Sequence, residues 1–96
     1  QTNEAGTIYI DKNLISFPLQ IRKWQTGDVF FPLGMKGKKK LSKFFKDEKM
    51  SLLEKENTWL LCTSRNEIIW VVNRRKDRRF ILSQNDTNGL KITSIQ

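Results

Sequence analysis

The sequence predicts a mainly β domain of the α+β class with one or two short helices, on three observations. Two near-continuous apolar runs, Trp59 to Cys62 and Ile68 to Val72, flank the polar turn Thr63-Ser64-Arg65-Asn66. Runs of this length without alternation are expected of strands buried on both faces, and the turn makes them an antiparallel hairpin. Second, Phe17, Leu19 and Ile21 alternate with Pro18, Gln20 and Arg22, the period of a half-buried strand. Third, helical periodicity is confined to one region, where Leu41, Phe44, Phe45 and Glu48 share a face and Lys39, Lys43 and Lys46 lie on the other side.

In chain order, Thr7 to Ile10 reads as a short strand with Ile8 and Ile10 on one face, followed by a turn at Asp11-Lys12-Asn13. The alternating strand from Phe17 carries Arg22 on its outer face, and Pro18 marks it as an edge or a strand start. Gln25 to Asp28 is a turn, and Val29-Phe30-Phe31 a brief strand stopped by Pro32. A loop from Leu33 to Lys40 carries Gly34 and Gly37, and a helix runs from Leu41 to Lys49. Ser51 caps a second helix, Leu52 to Glu56, with Glu54 at the capping-box position. After the central hairpin come two last strands, Phe80-Ile81-Leu82 and Leu90 to Ile95, separated by the polar loop Ser83 to Gly89. No internal repeat or linker divides the chain.

A length of 96 residues suits one domain, residues 1–96. The chain begins with Gln1, as expected of a piece cut from a longer protein. Its apolar runs are too short to span a bilayer, so no membrane partner is expected. Cys62, the single cysteine, lies in an apolar run and reads as a buried, inert thiol, compatible with a reducing cytoplasm. The formal charge of +8 points to a polyanionic partner. That charge is concentrated. Lys36 to Lys49 holds seven lysines and two acids, and Arg74 to Arg79 holds five bases around Asp77, so the rest of the chain is slightly acidic.

The sequence contains no histidine, which removes the commonest general base and metal ligand. One cysteine cannot build a thiolate zinc site. Asp47-Glu48 and Glu54/Glu56 are not spaced to sit side by side on a helix face and read as solvated charges. Gly34-Met35-Lys36-Gly37-Lys38-Lys39 lacks the four-residue glycine spacing and the Lys-Ser/Thr of a Walker loop. The expectation is therefore a fragment with no catalytic, metal or cofactor site of its own.

Three constellations suit binding. In the loop-to-helix segment, Lys36, Lys38, Lys39, Lys40 and Lys43 supply charge, the glycines permit close backbone approach, and the following helix start offers N–H groups to a phosphate. Phe44 and Phe45 would anchor that helix in the core. The second cluster is Arg74-Arg75-Lys76-Asp77-Arg78-Arg79, in which guanidinium forks suit phosphates and Arg74, Arg75 and Arg78 are the candidate contacts; Asp77 is expected to orient a neighbouring arginine. The third is Arg22-Lys23-Trp24, in which the tryptophan either stacks on a base or fills the core. Trp59 and Trp70, inside apolar runs, are expected in the core. Gly34 to Gly37 also spells the GXXG of KH domains, but Pro32 spoils the helix that should precede it.

Beyond these features lies a resemblance. Ile21-Arg22-Lys23-Trp24, Gly27-Asp28, the run Phe30 to Ser42, Phe44-Phe45, Asp47, Lys49, Ile68 to Val72, Arg74, Asp77 and Arg79-Phe80 follow in the order seen in C-terminal domains of the bacterial tRNA(Ile)-lysidine synthetase family. The similarity runs from about Phe17 to Leu82, and the stretch Phe31 to Ser42 is its most specific part. Departures are Val29 and Lys55, where arginine is usual, Asn73 for a common glycine, and Ser51 and Trp59 for common prolines.

The resemblance implies a sandwich-like β core similar to a domain of the phenylalanyl-tRNA synthetase β subunit. It implies a tRNA-binding accessory role, with contact to the acceptor stem of isoleucine tRNA, inside an ATP-dependent ligase that joins lysine to the wobble cytidine to form lysidine. ATP and magnesium would serve the parent enzyme's ATP-pyrophosphatase domain, which is absent here; none is expected in this domain. Other domains of the same enzyme, and a second copy through the parent, are the expected protein partners. Two alternatives are a module that docks onto the enzyme's other domains, and a general basic nucleic-acid-binding domain.

Overall fold

Leu60 and Leu61 are consecutive on one strand, yet both are buried, at 0% and 4% exposure. Neighbouring strand residues point to opposite faces, so this strand is covered on both sides. The computed structural model, which describes residues 6–82 and 87–95, shows what covers it. The elements are β1 (Thr7–Asp11), β2 (Gln20–Lys23), β3 (Val29–Phe30), β4 (Lys39–Lys40), α1 (Leu41–Asp47), α2 (Leu52–Glu56), β5 (Trp59–Cys62), β6 (Ile68–Val71), β7 (Arg75–Lys76) and β8 (Gly89–Thr93). Strands β2, β5, β6 and β7 form, in that order, a four-stranded antiparallel sheet. β1 pairs with β8 and β3 with β4 as two-stranded ribbons.

The core consists of two clusters separated by the four-stranded sheet. On one side Leu60, Cys62, Ile68 and Val71 pack under Phe30, Leu41, Phe44, Phe45 and Met50, from β3, α1 and the turn after it. On the other, Leu61, Ile69 and Trp70 pack against Ile8 and Ile10 of β1, Ile15 and Phe80. Leu61 pairs with Trp70 but Cys62 pairs with Ile68, so β6 carries one extra residue at Ile69. This bulge puts the consecutive residues Ile69 and Trp70 in the same cluster. The central hairpin predicted from its unbroken apolar runs is thus present and buried on both faces, and mainly β architecture with two short helices is observed.

Local chemistry explains the ends of the elements. Ser51 Oγ accepts the Glu54 N–H at 3.1 Å and Glu54 Oε1 accepts the Ser51 N–H at 2.7 Å, the predicted capping box. These hydrogen bonds hold the Glu54 carboxyl below the usual carboxylate range. Asn66 and Asn73 turn the chain at φ of 69° and 65°, a region that asparagine tolerates better than most residues. Position 73 is where the family resemblance leads one to expect glycine, so the same backbone is reached by another side chain.

Several expectations need correction. The strand expected from Phe17 begins only at Gln20, and Phe17 and Ile21 are more than half exposed. Arg22 does not lie outward: it pairs across the sheet with Leu60, and its side chain is 14% exposed because Asp28 holds it there. Trp59 is 38% exposed rather than core, since β5 begins at the sheet's margin. Lys39 is not on the solvent side of the helix; it pairs with Phe30 in β3–β4. Helix α1 ends at Asp47, and Glu48 is its exposed C-cap, not part of the apolar face. Arg78–Phe80 form a 3-10 turn rather than the start of a strand, leaving Ile81 a single bridge to Ile10. β8 spans Gly89–Thr93, shorter than the run to Ile95, and residues 83–86 of the expected polar loop lie outside the described residues.

Phe45, fully buried between Trp24 and Phe44, anchors α1 to the sheet. Phe45→Ala should cost about 3–5 kcal/mol. Leu52→Ala, on a residue 67% exposed, should stay within about 0.5 kcal/mol. Urea unfolding of both variants checks the pair; equal effects would mean that the core is not where the structure puts it.

Candidate nucleic-acid interface

The two basic segments, Lys36 to Lys49 and Arg74 to Arg79, are 25 residues apart at their nearest, yet the fold hydrogen-bonds their roots together. Phe31-Pro32-Leu33, which opens the glycine-lysine loop, runs antiparallel beside Lys76-Asp77-Arg78. Leu33 N donates to the Lys76 carbonyl at 2.8 Å, Arg78 N donates to the Phe31 carbonyl at 2.8 Å, and Pro32 bridges Asp77. Pro32 fits because a proline contributes no donor to this ladder.

Asp77 locks the seam. It has no exposed surface, and both of its oxygens are used. Oδ2 accepts the Phe31 N–H at 2.8 Å and Arg79 Nη2 at 3.0 Å; Oδ1 accepts the Arg79 N–H at 2.8 Å and Arg79 Nε at 3.0 Å. Its own N–H donates to the Ile69 carbonyl, which ties the seam to the central strand. The Phe31 ring lies beneath this array, with the Arg79 and Arg78 guanidinium carbons 4.1 and 5.4 Å from its centroid. Arg75 reaches the Leu33 carbonyl at 3.4 Å and lies 5.7 Å from the Phe44 ring. The orienting role expected of Asp77 is therefore present. The part played by Phe31 carries no sequence signal beyond its place before Pro32.

Not every predicted site residue faces solvent alike. Lys36, Lys38, Lys40 and Lys43 are exposed, with no ion pair to any described residue, and Arg78 is exposed at the 3-10 turn. Gly34 and Gly37 sit at φ of 87° and 72°, so the loop's path depends on glycine at both. Lys39 instead binds Asp47 at the far end of α1, and that hydrogen bond lowers the Asp47 carboxyl's affinity for its proton. Arg74 is exposed but lies 3.6 Å from Glu54. Lys23 donates to the Glu56 carbonyl and rests 3.9 Å from the Trp59 ring centroid, at the β2 edge and not in the seam. Trp24 meets Phe45 edge-to-face and is partly buried, in line with the core reading of that residue.

Arg22 is spent internally. Its guanidinium forks Asp28 with two hydrogen bonds of 2.9 Å and also reaches Asn66 Oδ1 at 2.7 Å and the Lys23 carbonyl. The Asp28 hydrogen bond raises the Arg22 pKa further. Asp28, for its part, closes the turn through Gln25 N, and its carbonyl accepts the Leu41 N–H at 2.9 Å. The first amide of α1 is therefore occupied and is not one that the helix start offers to a phosphate. Cys62 is buried, and burial pushes its thiol pKa up, in keeping with an inert thiol. Among the described residues no group of three His, Cys, Asp or Glu is placed to hold a metal ion, and no helix is long and apolar enough to cross a membrane.

A small antiparallel β domain with a basic seam along one sheet edge belongs to a recognisable class. Its fold matches a solved structure described as the TILS C-terminal domain, with a TM-score of 0.82 at 20% identity, covering 96% of this chain and 72% of that one. It also matches an N-terminal fragment of the phenylalanyl-tRNA synthetase β subunit from Pyrococcus horikoshii, with a TM-score of 0.70 at 16% identity, covering 88% of this chain and 26% of that one. At these identities the likeness is one of fold.

Sequence similarity is more specific. The model of the family described as "TilS substrate C-terminal domain" matches residues 19–93, and the chain belongs to that family. The tRNA(Ile)-lysidine synthase of Parabacteroides distasonis is 52% identical over 76 residues, 79% of this chain and 17% of that protein. The one from Bacteroides thetaiotaomicron is 40% identical over 81 residues, 84% of this chain and 19% of that protein. The chain thus spans under a fifth of the length of these curated relatives.

Removing the Asp77 carboxylate leaves the Phe31 amide and Arg79 without their acceptor. Asp77→Ala should cost about 3 kcal/mol, the low end for breaking a buried pair because Arg79 retains some access to water. Denaturant unfolding measures the loss, and amide exchange at Phe31 and Leu33 should rise more than at Leu60. Uniform acceleration of exchange would show that Asp77 holds the whole fold rather than the seam.

Proposed function

We propose that this chain is a tRNA-binding accessory domain of a tRNA(Ile)-lysidine synthase and that the seam between the glycine-lysine loop and the arginine run is its RNA-binding face. The observation that carries the reading is the ladder from Phe31 to Leu33 against Lys76 to Arg78. It supports one continuous basic surface where the sequence has two separate clusters. Lys36, Lys38, Lys40, Lys43 and Arg78 meet backbone phosphates, with Arg74 and Arg75 at the margin. Arg22, Lys39 and Asp77 position the elements that carry them.

The acceptor stem of isoleucine tRNA is the target that fits this surface. Phosphate contacts position a protein on a duplex without reading bases. An A-form stem presents phosphates and 2′-hydroxyls while its deep major groove stays closed to side chains. At the seam the Phe31 ring is covered by the domain's own Arg78 and Arg79, leaving it unavailable for stacking on a splayed anticodon base. The exposed aromatics Tyr9, Phe17 and Trp59 lie on other elements. In this proposal the parent enzyme is a cytoplasmic ligase that joins lysine to the wobble cytidine, and its ATP and magnesium are bound outside this domain.

Replacing Lys36, Lys38 and Lys40 with alanine should weaken tRNA binding and reduce the slope of log affinity against log salt by about 2–3 units, at roughly 0.7–0.9 per phosphate contact. Lys39→Ala alone should change that slope little. A triple variant with unchanged slope and affinity would place the RNA elsewhere.

Competition titrations at fixed salt, with an acceptor-stem hairpin and an anticodon hairpin matched for phosphate number, test the choice of target. The acceptor hairpin should bind more tightly, by about tenfold, or ~1.4 kcal/mol. Equal affinities would reduce the domain to a general basic anchor, and preference for the anticodon hairpin would overturn the reading.

A further inference from the structure

The sheet's other margin has a different character. Beside β2, the strand at the edge opposite β7, an open groove of about 260 Å³ is walled mainly by Ile21, Trp59, Trp70, Val72, Ile92 and Ile95. None of its lining residues carries a charge, in a chain of net charge +8. Three of these walls are unusually bare: Ile21 is 55% exposed, Trp59 38% and Ile95 99%. A second groove of about 250 Å³ shares Trp59 and Val72 but is of mixed character, lined also by Leu53, Glu54, Asn57, Thr58, Asn73 and Arg74, so the uncharged surface is confined to the first. An uncharged, largely apolar groove on a small basic domain marks a protein contact rather than a phosphate site.

The path of the chain indicates the occupant. β1 pairs with β8 from Thr7 opposite Thr93, and Ser94 N donates to the Gly6 carbonyl at 2.8 Å. Thr93, Ser94 and Ile95 line the groove, so Gly6, where the described chain enters β1, lies next to its rim. In the curated relatives the matched region is 17–19% of the protein, and the family is described as a C-terminal domain, so most of such a protein precedes this point. A segment tethered at the rim has a high effective concentration over the groove, an advantage that a free second copy lacks.

We propose that in the full-length synthase this groove seats an apolar segment of the same polypeptide N-terminal to β1, docking the domain by its β2 edge and leaving the β7 edge and its basic seam free. The proposal rests on the reading of this chain as one domain of a longer synthase, but not on its binding RNA, and is tested without RNA. A photoreactive benzophenone amino acid is placed at position 95 of the full-length enzyme, where a side chain 99% exposed makes no contribution to folding. Irradiation of a mixture of isotopically light and heavy chains, followed by mass spectrometry, identifies what the probe touches. The expected product joins position 95 to a segment preceding β1 in the same chain. Ile21→Asp in the same protein should lower its yield severalfold, whereas Leu14→Asp, on an exposed residue that does not line the groove, should not. Mixed light–heavy products would assign the groove to a second copy, and the absence of any protein cross-link would leave it bare; either overturns the proposal. Loss of RNA binding by the lysine variants would not affect this outcome, so the two readings fail separately.

Discussion

A single buried carboxylate sets the geometry of the basic face. Asp77 has no contact with water and accepts four hydrogen bonds, from the Phe31 amide and from the amide, Nε and Nη2 of Arg79. A carboxylate taken out of water is stable only when its lone pairs are filled, so the segments that fill them cannot drift independently. One such segment opens the lysine loop and the other is the arginine run. Because Asp77 is also bonded through its own amide to Ile69, in the middle of the sheet, the seam inherits the rigidity of the core. The phosphate recognition proposed for this face would depend on such a base, because mobile lysines reach a backbone productively only from roots that hold their spacing.

The parts of this fold that were legible in the sequence are those whose cause is local. The hairpin β5–β6 could be read from unbroken apolar runs, the capping box from Ser51 and Glu54, and the anchoring face of α1 from the spacing of Leu41, Phe44 and Phe45. Each rests on neighbours within a few residues or on a period. The family resemblance carried the sandwich-like core and the likeness to the phenylalanyl-tRNA synthetase fragment, which no periodicity contains.

What sequence reasoning missed was decided at long range. Alternation put Arg22 outside and Ile21 inside, but on the edge strand β2 Ile21 is 55% exposed and the Arg22 side chain, opposite Leu60, only 14%. The charged side chain tolerates the inner position because Asp28 and Asn66 supply its acceptors, and neither partner can be recognised from the strand itself. Trp59 was expected in the core from its apolar run, yet it lies where the sheet ends and takes Lys23 as its cover. Phe80 keeps its burial but loses its strand, since the Asp77 cap on Arg79 winds the chain into a 3-10 turn first.

These long-range pairings change how the charge of +8 should be read. Net charge sets the field around the molecule, and internal ion pairs leave that field's far reach largely intact. Contact with a phosphate is a different quantity, because it needs a cation that can approach without abandoning a partner. Arg22, Lys39 and Arg79 each hold a carboxylate, and Arg74 lies within reach of one. Breaking such a pair to reach RNA exchanges one favourable interaction for another and yields little net affinity. Within the proposed binding face, the cations that would gain on contact are those with no ion pair to a described residue, Lys36, Lys38, Lys40, Lys43 and Arg78, which sit on the glycine-lysine loop, on β4, on α1 and at the turn after β7. The acids of the domain thus do more than reduce its net charge: by occupying particular bases they separate those that shape the surface from those left free to bind.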